Sequence, residues 1–497
     1  MSSILHALER NAGHSPDVTA ITGSQVSLTW QALMNEVLVV SVALQGCKAL
    51  GLFMDNSPAW VIADLSAIHA SVVNIPLPGF FSDEQIQHAM RDAGIDTVIT
   101  DNPDRLRLLY PGGREVQLSI AGKLYTQIFF SVENAAGQSG DTAKITYTSG
   151  TTGSPRGVQL SLSMIETVAA SLAGAADADN RDRALVVLPL TILLENIGSV
   201  YVPILAAAEI LVPEPADLGL SGSSRVDAGL FATALQKFRP TAVILPPQLL
   251  KLLVALAERQ LLPDSLRFIA VGGAPVGMAL LDAARDAGLP VFQGYGLSEA
   301  CSVVALNTED NHYLGSVGKP LPHAGVRIND SGEIVVSGIC FNGYLNEPAV
   351  DRQAELNTGD LGYLDEEGYL YVTGRSRNRI ITGYGRNVSP EWVESELQSH
   401  PLVAQAAVFG NDLPCLVVVL VPASPDIGSA EINRIIDAVN ERLPDYARIG
   451  NYIVAGSPFS IDSGEMSLSG SPCRAVIEQH YLAQINNQPE MQNEQFL

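Results

Sequence analysis

Apolar residues recur along this chain with two alternating periods, and the alternation sets the fold class. Through the first 140 residues, short apolar runs that read as buried strands (51–55, 72–76 and 97–100) are separated by stretches with helical spacing (58–70 and 83–93). Strands alternating with helices in this way predict a βα layer. A second series follows, with a strand at 242–245, a helix at 247–258, and a strand at 268–271 that stops in Gly272, Gly273, Ala274 and Pro275. Between 315 and 372 the period shortens, with turn signals about every ten residues, and predicts a small β-barrel or meander. From 376 a smaller α+β pattern begins. It opens with a strand at 379–382 and a helix start at Ser389, with Pro390 first in the helix and Glu391 in its first turn. A buried strand is expected at 413–421. The expected architecture is α/β: a large region at 1–375 of two α/β layers plus a small β-barrel, then an α+β domain at 376–483. The tail at 484–497 is rich in Asn, Gln and Glu and is expected to fray.

Composition narrows what such a fold can do. With 497 residues and 47% hydrophobic content, the chain can bury more than one core. A net charge of −24 repels phosphate backbones, which argues against nucleic-acid binding, and it obliges any anion site to gather basic residues locally. Cys47, Cys301, Cys340, Cys415 and Cys473 are scattered and odd in number, so buried free thiols are expected in place of disulfides or a zinc site. Polar and acidic residues come too early for a signal peptide, and Ser41, Gln45 and Lys48 break the apolar run at 37–54. The reading is a cytoplasmic protein without a membrane span. His69 and His88 fall in predicted helices, where a structural role is the ordinary one.

The chemistry concentrates at 145–160. A strand-like alternation ending at Thr148 passes into Ser149, Gly150, Thr151, Thr152, Gly153, Ser154, Pro155, Arg156 and Gly157. The glycines let successive N–H groups turn inward, the hydroxyls add donors, and Arg156 adds a fixed positive charge, which suits a polyphosphate. Taken alone, a Gly/Ser/Thr cluster is more plainly a solvated turn. No Gly-Lys-Ser/Thr closes it, so it is not a Walker loop. A second motif sets Gly294, Tyr295, Gly296, Ser298 and Glu299 in what reads as a glycine-rich turn, with an aromatic for a base, a hydroxyl for a phosphate and a carboxylate for a hard cation. The paired glycines after 268–271 leave room for a flat ligand against the backbone. Thr358-Gly359-Asp360 and Gly374-Arg375 supply a carboxylate for ribose hydroxyls and a guanidinium for sugar or phosphate. Each alone would be an ordinary turn or surface charge.

Together these motifs resemble those of the adenylate-forming superfamily over nearly the whole chain: acyl-CoA synthetases, acyl-carrier-protein ligases, luciferases and peptide-synthetase adenylation domains. Arg156 stands where that family usually has Lys, and Ser298 where it usually has Thr; charge and hydroxyl survive. The resemblance implies ATP-dependent activation of a carboxylic acid to acyl-AMP. Transfer to a thiol follows, from coenzyme A or from the phosphopantetheine arm of an acyl carrier protein. It implies nucleotide contacts for Thr148, Ser149, Gly150, Thr151, Thr152, Gly153, Gly273, Ala274, Pro275, Gly294, Tyr295, Gly296 and Ser298. It also assigns the ribose to Asp360 and Arg375, the bridging Mg2+ to Glu299 and phosphate charge to Arg156, and makes 376–483 a mobile domain hinged at Arg377. Where long-chain relatives have a His and an aromatic, this chain has Ile192 and Leu194; the Glu that follows is matched by Glu195. That match suggests magnesium or loop contacts for Glu195. The greasy pair points to a medium or long fatty acid, and core packing accounts for it equally well.

The family pattern breaks once. Its late-loop lysine, which reaches the carboxylate and α-phosphate, aligns here with Ser471, and no lysine follows Lys319. Three outcomes are open: Arg474 substitutes as the catalytic cation, adenylation runs slowly without it, or the protein keeps only the thioester half or only nucleotide binding.

Overall fold

The structure is a computed structural model and describes residues 2–131, 140–148, 155–221, 225–348, 350, 355–383, 386–411, 413–461, 463–467 and 471–486. Two large sheets carry the chemistry-bearing segments. The first has seven strands in the order Arg114–Ile120, Lys123–Phe129, Thr97–Thr100, Ala49–Phe53, Val73–Pro76, Thr142–Thr148 and Arg156–Ser161. The second has nine: Lys319–Pro320, Ser302–Leu306, Val291–Leu297, Phe268–Val271, Ala242–Leu245, Arg183–Leu185, Glu209–Leu211, Thr19–Thr22 and Ser27–Thr29. Ala49–Phe53 is buried at every position and pairs in parallel on both sides, which is why its sequence reads as an unbroken apolar run.

The helix Pro58–Ala70 joins the layers. The Ser57 hydroxyl accepts the Trp60 N–H at 3.3 Å, Pro58 opens the first turn, and Ser71 ends the helix at φ 55°. Residues 58 to 67 are all buried, as expected of a helix apolar around its whole circumference. One charge interrupts it. Asp64 is fully buried, and its Oδ1 lies 2.8 Å from Nζ of Lys144 on the strand Thr142–Thr148.

Of the barrel or meander anticipated after 315, the chain forms the meander: Gly325–Ile328, Glu333–Ser337, Leu356–Leu364 and Leu370–Arg375 in sequential antiparallel order. The glycine-rich turn expected at 293–299 is corrected: Val291–Leu297 is a strand, and only Ser298–Ala300 turns. Its glycines serve close packing, since a Cβ on Gly296 would lie 1.6 Å from the Ser302 carbonyl oxygen of the next strand. Among the described residues no helix is long and apolar enough to cross a membrane. The five cysteines are free, with Cys301 and Cys340 buried.

The carboxy-terminal unit packs helices Pro390–Ser399, Ser429–Asn440 and Arg474–Asn486 on the strands Val403–Phe409, Leu416–Pro422 and Ile449–Val454. It docks on the large region through exchanged helix caps. Lys251, from the helix Pro247–Glu258, donates to the carbonyls of Gln398 (3.1 Å), His400 (2.6 Å) and Val403 (3.0 Å) at the C-terminal end of Pro390–Ser399. In return, Glu396 Oε1 accepts the Met278 N–H at 2.9 Å, at the N-terminus of Met278–Asp286. Each charge has the sign its helix end favours. Gly277 permits the approach: a Cβ there would sit 2.2 Å from Ser399 Oγ and 2.5 Å from the Ser395 carbonyl oxygen. Gly277→Ala and Lys251→Met are therefore each expected to undock the unit. Small-angle scattering should show a larger radius of gyration, and trypsin should cut faster at Arg375, Arg377 and Arg379; values equal to those of the parent chain would refute the docking role.

Candidate functional site

The strands Thr142–Thr148 and Arg156–Ser161 pair antiparallel with Thr148 opposite Arg156, so both ends of the predicted phosphate loop arrive at one place. The candidates Ser149, Gly150, Thr151, Thr152 and Gly153 lie outside the described residues. The loop's exit is held by a residue that reads as structural in the sequence: His88 Nε2–H donates to the Pro155 carbonyl at 2.9 Å, which fixes its tautomer. At the entry, the Tyr147 hydroxyl donates to Asp92 Oδ2 at 2.8 Å.

Arg156 meets Glu299 through a tyrosine that the sequence did not point to. The Arg156 guanidinium stacks 3.4 Å from the Tyr344 ring centroid, and Nη2 reaches both Glu347 oxygens at 2.7 and 2.8 Å. The Tyr344 hydroxyl donates to Glu299 Oε1 at 2.7 Å. Backbone bonds from Gln159 N–H to Gly343 O (3.1 Å) and from Leu345 N–H to Gly157 O (2.8 Å) fasten this segment beside Arg156–Ser161. An aromatic beside Gly343 in a polar stretch was the only signal, and it reads as a turn.

A second cluster forms where the nine-stranded sheet meets the meander. Val271 pairs with Gln293, setting Gly272 beside Gly294 so closely that a Cβ on Gly272 would be 3.1 Å from the Gly294 carbonyl oxygen. Gly273, Ala274 and Pro275 follow as an exposed edge, and Ser298 begins the turn that presents Glu299. Asp360 lies opposite Arg375 in the register. Its Oδ1 is 2.9 Å from Arg375 Nε, and its Oδ2 accepts the Tyr295 hydroxyl at 2.7 Å. Burial raises the Asp360 carboxyl above its ordinary range, against the pull of Arg375 and Tyr295. Arg377 is shifted down, first by desolvation and then by neighbouring Arg375.

Arg474 borders the second cluster through Glu391, whose Oε2 a Cβ on Gly374 would meet at 3.3 Å. Nη1 lies 3.2 Å from Glu391 Oε1 and Nη2 2.5 Å from Glu394 Oε2, both within the carboxy-terminal unit. Burial pushes the Glu394 carboxyl up to about 7 despite that partner. The Ser471 N–H bonds Ser467 Oγ at 3.0 Å.

The magnesium option for Glu195 is corrected. Its side chain is fully buried and Oε1 accepts the Val187 N–H at 2.9 Å, so it braces a loop out of reach of any bound cation. Ile192 remains 36% exposed, whereas Leu194 packs partly into the core. Among the described residues no group of three or more His, Cys, Asp or Glu is placed to hold a metal ion. A cation at Glu299 would need oxygens from its ligand, the usual arrangement for Mg2+ with nucleotides.

Residues 8–345 match the family model described as AMP-binding enzyme, and 377–490 match the AMP-binding enzyme C-terminal domain. A long-chain-fatty-acid–CoA ligase, FadD15 of Mycobacterium bovis, is 26% identical over 532 residues, covering 90% of this chain and 89% of that protein. Among solved structures, the anthranilate CoA ligase AuaEII in complex with anthranoyl-AMP superposes with a TM-score of 0.80 at 21% identity, over 97% of each chain. O-succinylbenzoate coenzyme A synthetase (MenE) of Bacillus subtilis, in complex with ATP and magnesium, gives 0.73 at 25% identity, over 94% of this chain and 98% of that one.

Burial without a cationic partner pushes the Glu195 carboxyl up to about 8, from 4.5. The folded chain then keeps a proton that the unfolded chain releases. This contribution to stability is complete below about pH 4.5 and is lost as pH rises toward 8, at roughly 1.4 kcal/mol per pH unit at most. Glu195→Gln is expected to remove that slope, so its thermal midpoint should fall less than the parent's between mildly acid and mildly alkaline buffer. Parallel midpoint curves for the two proteins would contradict it.

Proposed function

Because the chain belongs to the AMP-binding enzyme family, we infer that it works as an adenylate-forming acid–thiol ligase of the acyl-CoA synthetase type. In the first step a substrate carboxylate oxygen attacks the α-phosphorus of ATP, forming the acyl-AMP anhydride and releasing pyrophosphate. In the second a thiol attacks the activated carbonyl, forming the thioester and releasing AMP. The observation that carries this assignment is the bridge at Tyr344, whose ring stacks under Arg156 while its hydroxyl bonds Glu299, at the start of the strand that leaves the loop. Arg156, exchanging Glu347 for phosphate, would hold the leaving pyrophosphate. Glu299, together with phosphate oxygens, would hold Mg2+, which supplies charge neutralisation there when bound. Asp360 and Arg375 would take the ribose, and the edge from Gly272 to Pro275 with Tyr295 the base.

The acid we propose is a medium- or long-chain fatty acid, on the strength of the exposed Ile192 and of the similarity to a long-chain-fatty-acid ligase. Coenzyme A is the proposed thiol, and a carrier-protein arm is the alternative acceptor. Between the steps the unit at 376–483 would reorient about Arg377.

One observation favours a second reading, a chain impaired in adenylation: Ser471 replaces the expected lysine, and Arg474 is held by two glutamates. Pyrophosphate exchange into ATP, measured over fatty acids of graded length, o-succinylbenzoate and anthranilate, separates the two. The ligase reading expects exchange with at least one acid and a loss of about 100-fold or more in Glu299→Gln. Folded protein that binds ATP, exchanges with none, yet converts preformed acyl-AMP to a thioester supports the second reading. Tyr344→Phe should raise the Mg2+ concentration needed for half-maximal exchange, because Glu299 loses the partner that orients it; an unchanged requirement removes Tyr344 from the site.

A further inference from the structure

Two segments assigned to the reaction send side chains to one buried ion pair, and a third packs against them. Lys144 lies on the strand that enters the phosphate loop, and its Nζ is 2.8 Å from Asp64 Oδ1 and 2.8 Å from the Tyr201 hydroxyl. That hydroxyl donates to Asp64 Oδ2 at 2.6 Å, and Asn196 Nδ2 donates to the same oxygen at 3.0 Å while its Oδ1 accepts from Lys144. Asn74 Nδ2 donates to Asp64 Oδ1 at 2.5 Å and completes the set.

Asn196 and Tyr201 belong to the helix that runs on from Ile192. Five residues apart, they would point about 140° away from each other on a regular α-helix. Here Ile197–Tyr201 is a π turn, with the Val202 N–H bonded to the Ile197 carbonyl, and the wider turn brings both side chains onto the pair. The third segment is the turn bearing Glu299. Two residues beyond it Cys301 is fully buried, and the strand Ser302–Leu306 that leaves the turn packs on Leu193–Asn196, the helical turn that carries Asn196. Cys301 and Ser302 hold φ of 56° and 95°, a strained conformation for two consecutive non-glycine residues, so this turn depends on its neighbours to keep its shape.

A buried ion pair is a poor device for stability alone, because apolar replacements of equal volume often fold as well. Hydrogen bonds to a fixed charge do something apolar packing does not: they set direction. We propose that Lys144 and Asp64 are positioning residues for the ligase, holding the phosphate-loop strand, the helix behind Ile192 and the Glu299 turn in one mutual alignment. This rests on the site assignment given above.

Calorimetric titration with ATP and with a non-hydrolysable acyl-sulfamoyl adenosine tests it, because the second ligand engages the acyl side and the first does not. Tyr201→Phe, which removes one hydroxyl and leaves the ion pair intact, should weaken the adenosine analogue about tenfold with ATP unchanged. Lys144→Gln should weaken both ligands by a similar factor. Leu253→Ala, in a separate core of the nine-stranded sheet, is the control for instability, with a lower thermal midpoint and both affinities retained. Should Tyr201→Phe and Lys144→Gln behave as that control does, the pair is merely structural and the proposal falls. If Lys144→Gln does not fold, Tyr201→Phe decides alone. A parent protein that binds neither ligand overturns the ligase assignment itself, a result distinct from variants that bind as the parent does.

Discussion

A carboxylate placed inside a fully buried stretch of helix is the constraint around which the large region is arranged. Asp64 has no access to water, and an isolated carboxylate there would cost several kcal/mol even after relaxation. Its oxygens are satisfied by groups from three other elements, so neither layer can slide without stranding the charge. Removing one partner from such a pair typically costs about 3–5 kcal/mol, a large share of a domain's net stability.

The candidate site follows a related rule at lower cost. In a chain with 53 acidic and 29 basic residues, Arg156, Arg375 and Arg474 each already have a carboxylate partner. Arg156 and its partner Glu347 are 41% and 49% exposed, where an ion pair contributes about 0–1 kcal/mol and solvent competes for it, so a polyanion can exchange with Glu347 readily. Arg375 is exposed too, but its partner Asp360 is buried, so that guanidinium stays with the carboxylate it neutralises. Arg474 is only 17% exposed and faces the buried Glu394 as well as the partly buried Glu391, so drawing it toward a substrate would abandon buried charge. That difference in accessibility weighs against Arg474 as a ready stand-in for the missing lysine.

Elements defined by local chemistry were legible in the sequence. The helix Pro58–Ala70 and the run Ala242–Leu245, Pro247–Glu258, Phe268–Val271 lie where periodicity and proline put them, because caps and apolar spacing are local. The hairpin Arg114–Ile120 with Lys123–Phe129 was not read, although Val116, Leu118 and Ile120 alternate with polar residues, because the outer strand is exposed at nearly every position and buries only Ile120 at its end. Gly294 and Gly296 misled in the opposite direction: their lack of side chains serves a neighbouring strand and not a turn. In the site, motifs gave Asp360, Arg375 and Glu299, but Tyr344, Glu347 and His88 act through contacts more than 40 residues away in sequence, and spacing carries no record of those.

The seam between the large region and the carboxy-terminal unit is fastened by backbone ends and two charged side chains, Lys251 and Glu396. Were such a seam to part, water would take up its carbonyls, its amide and its two ions at once, while the apolar residues beside them, Pro247, Leu280 and Pro401 among them, would meet solvent only in pieces separated by those polar groups.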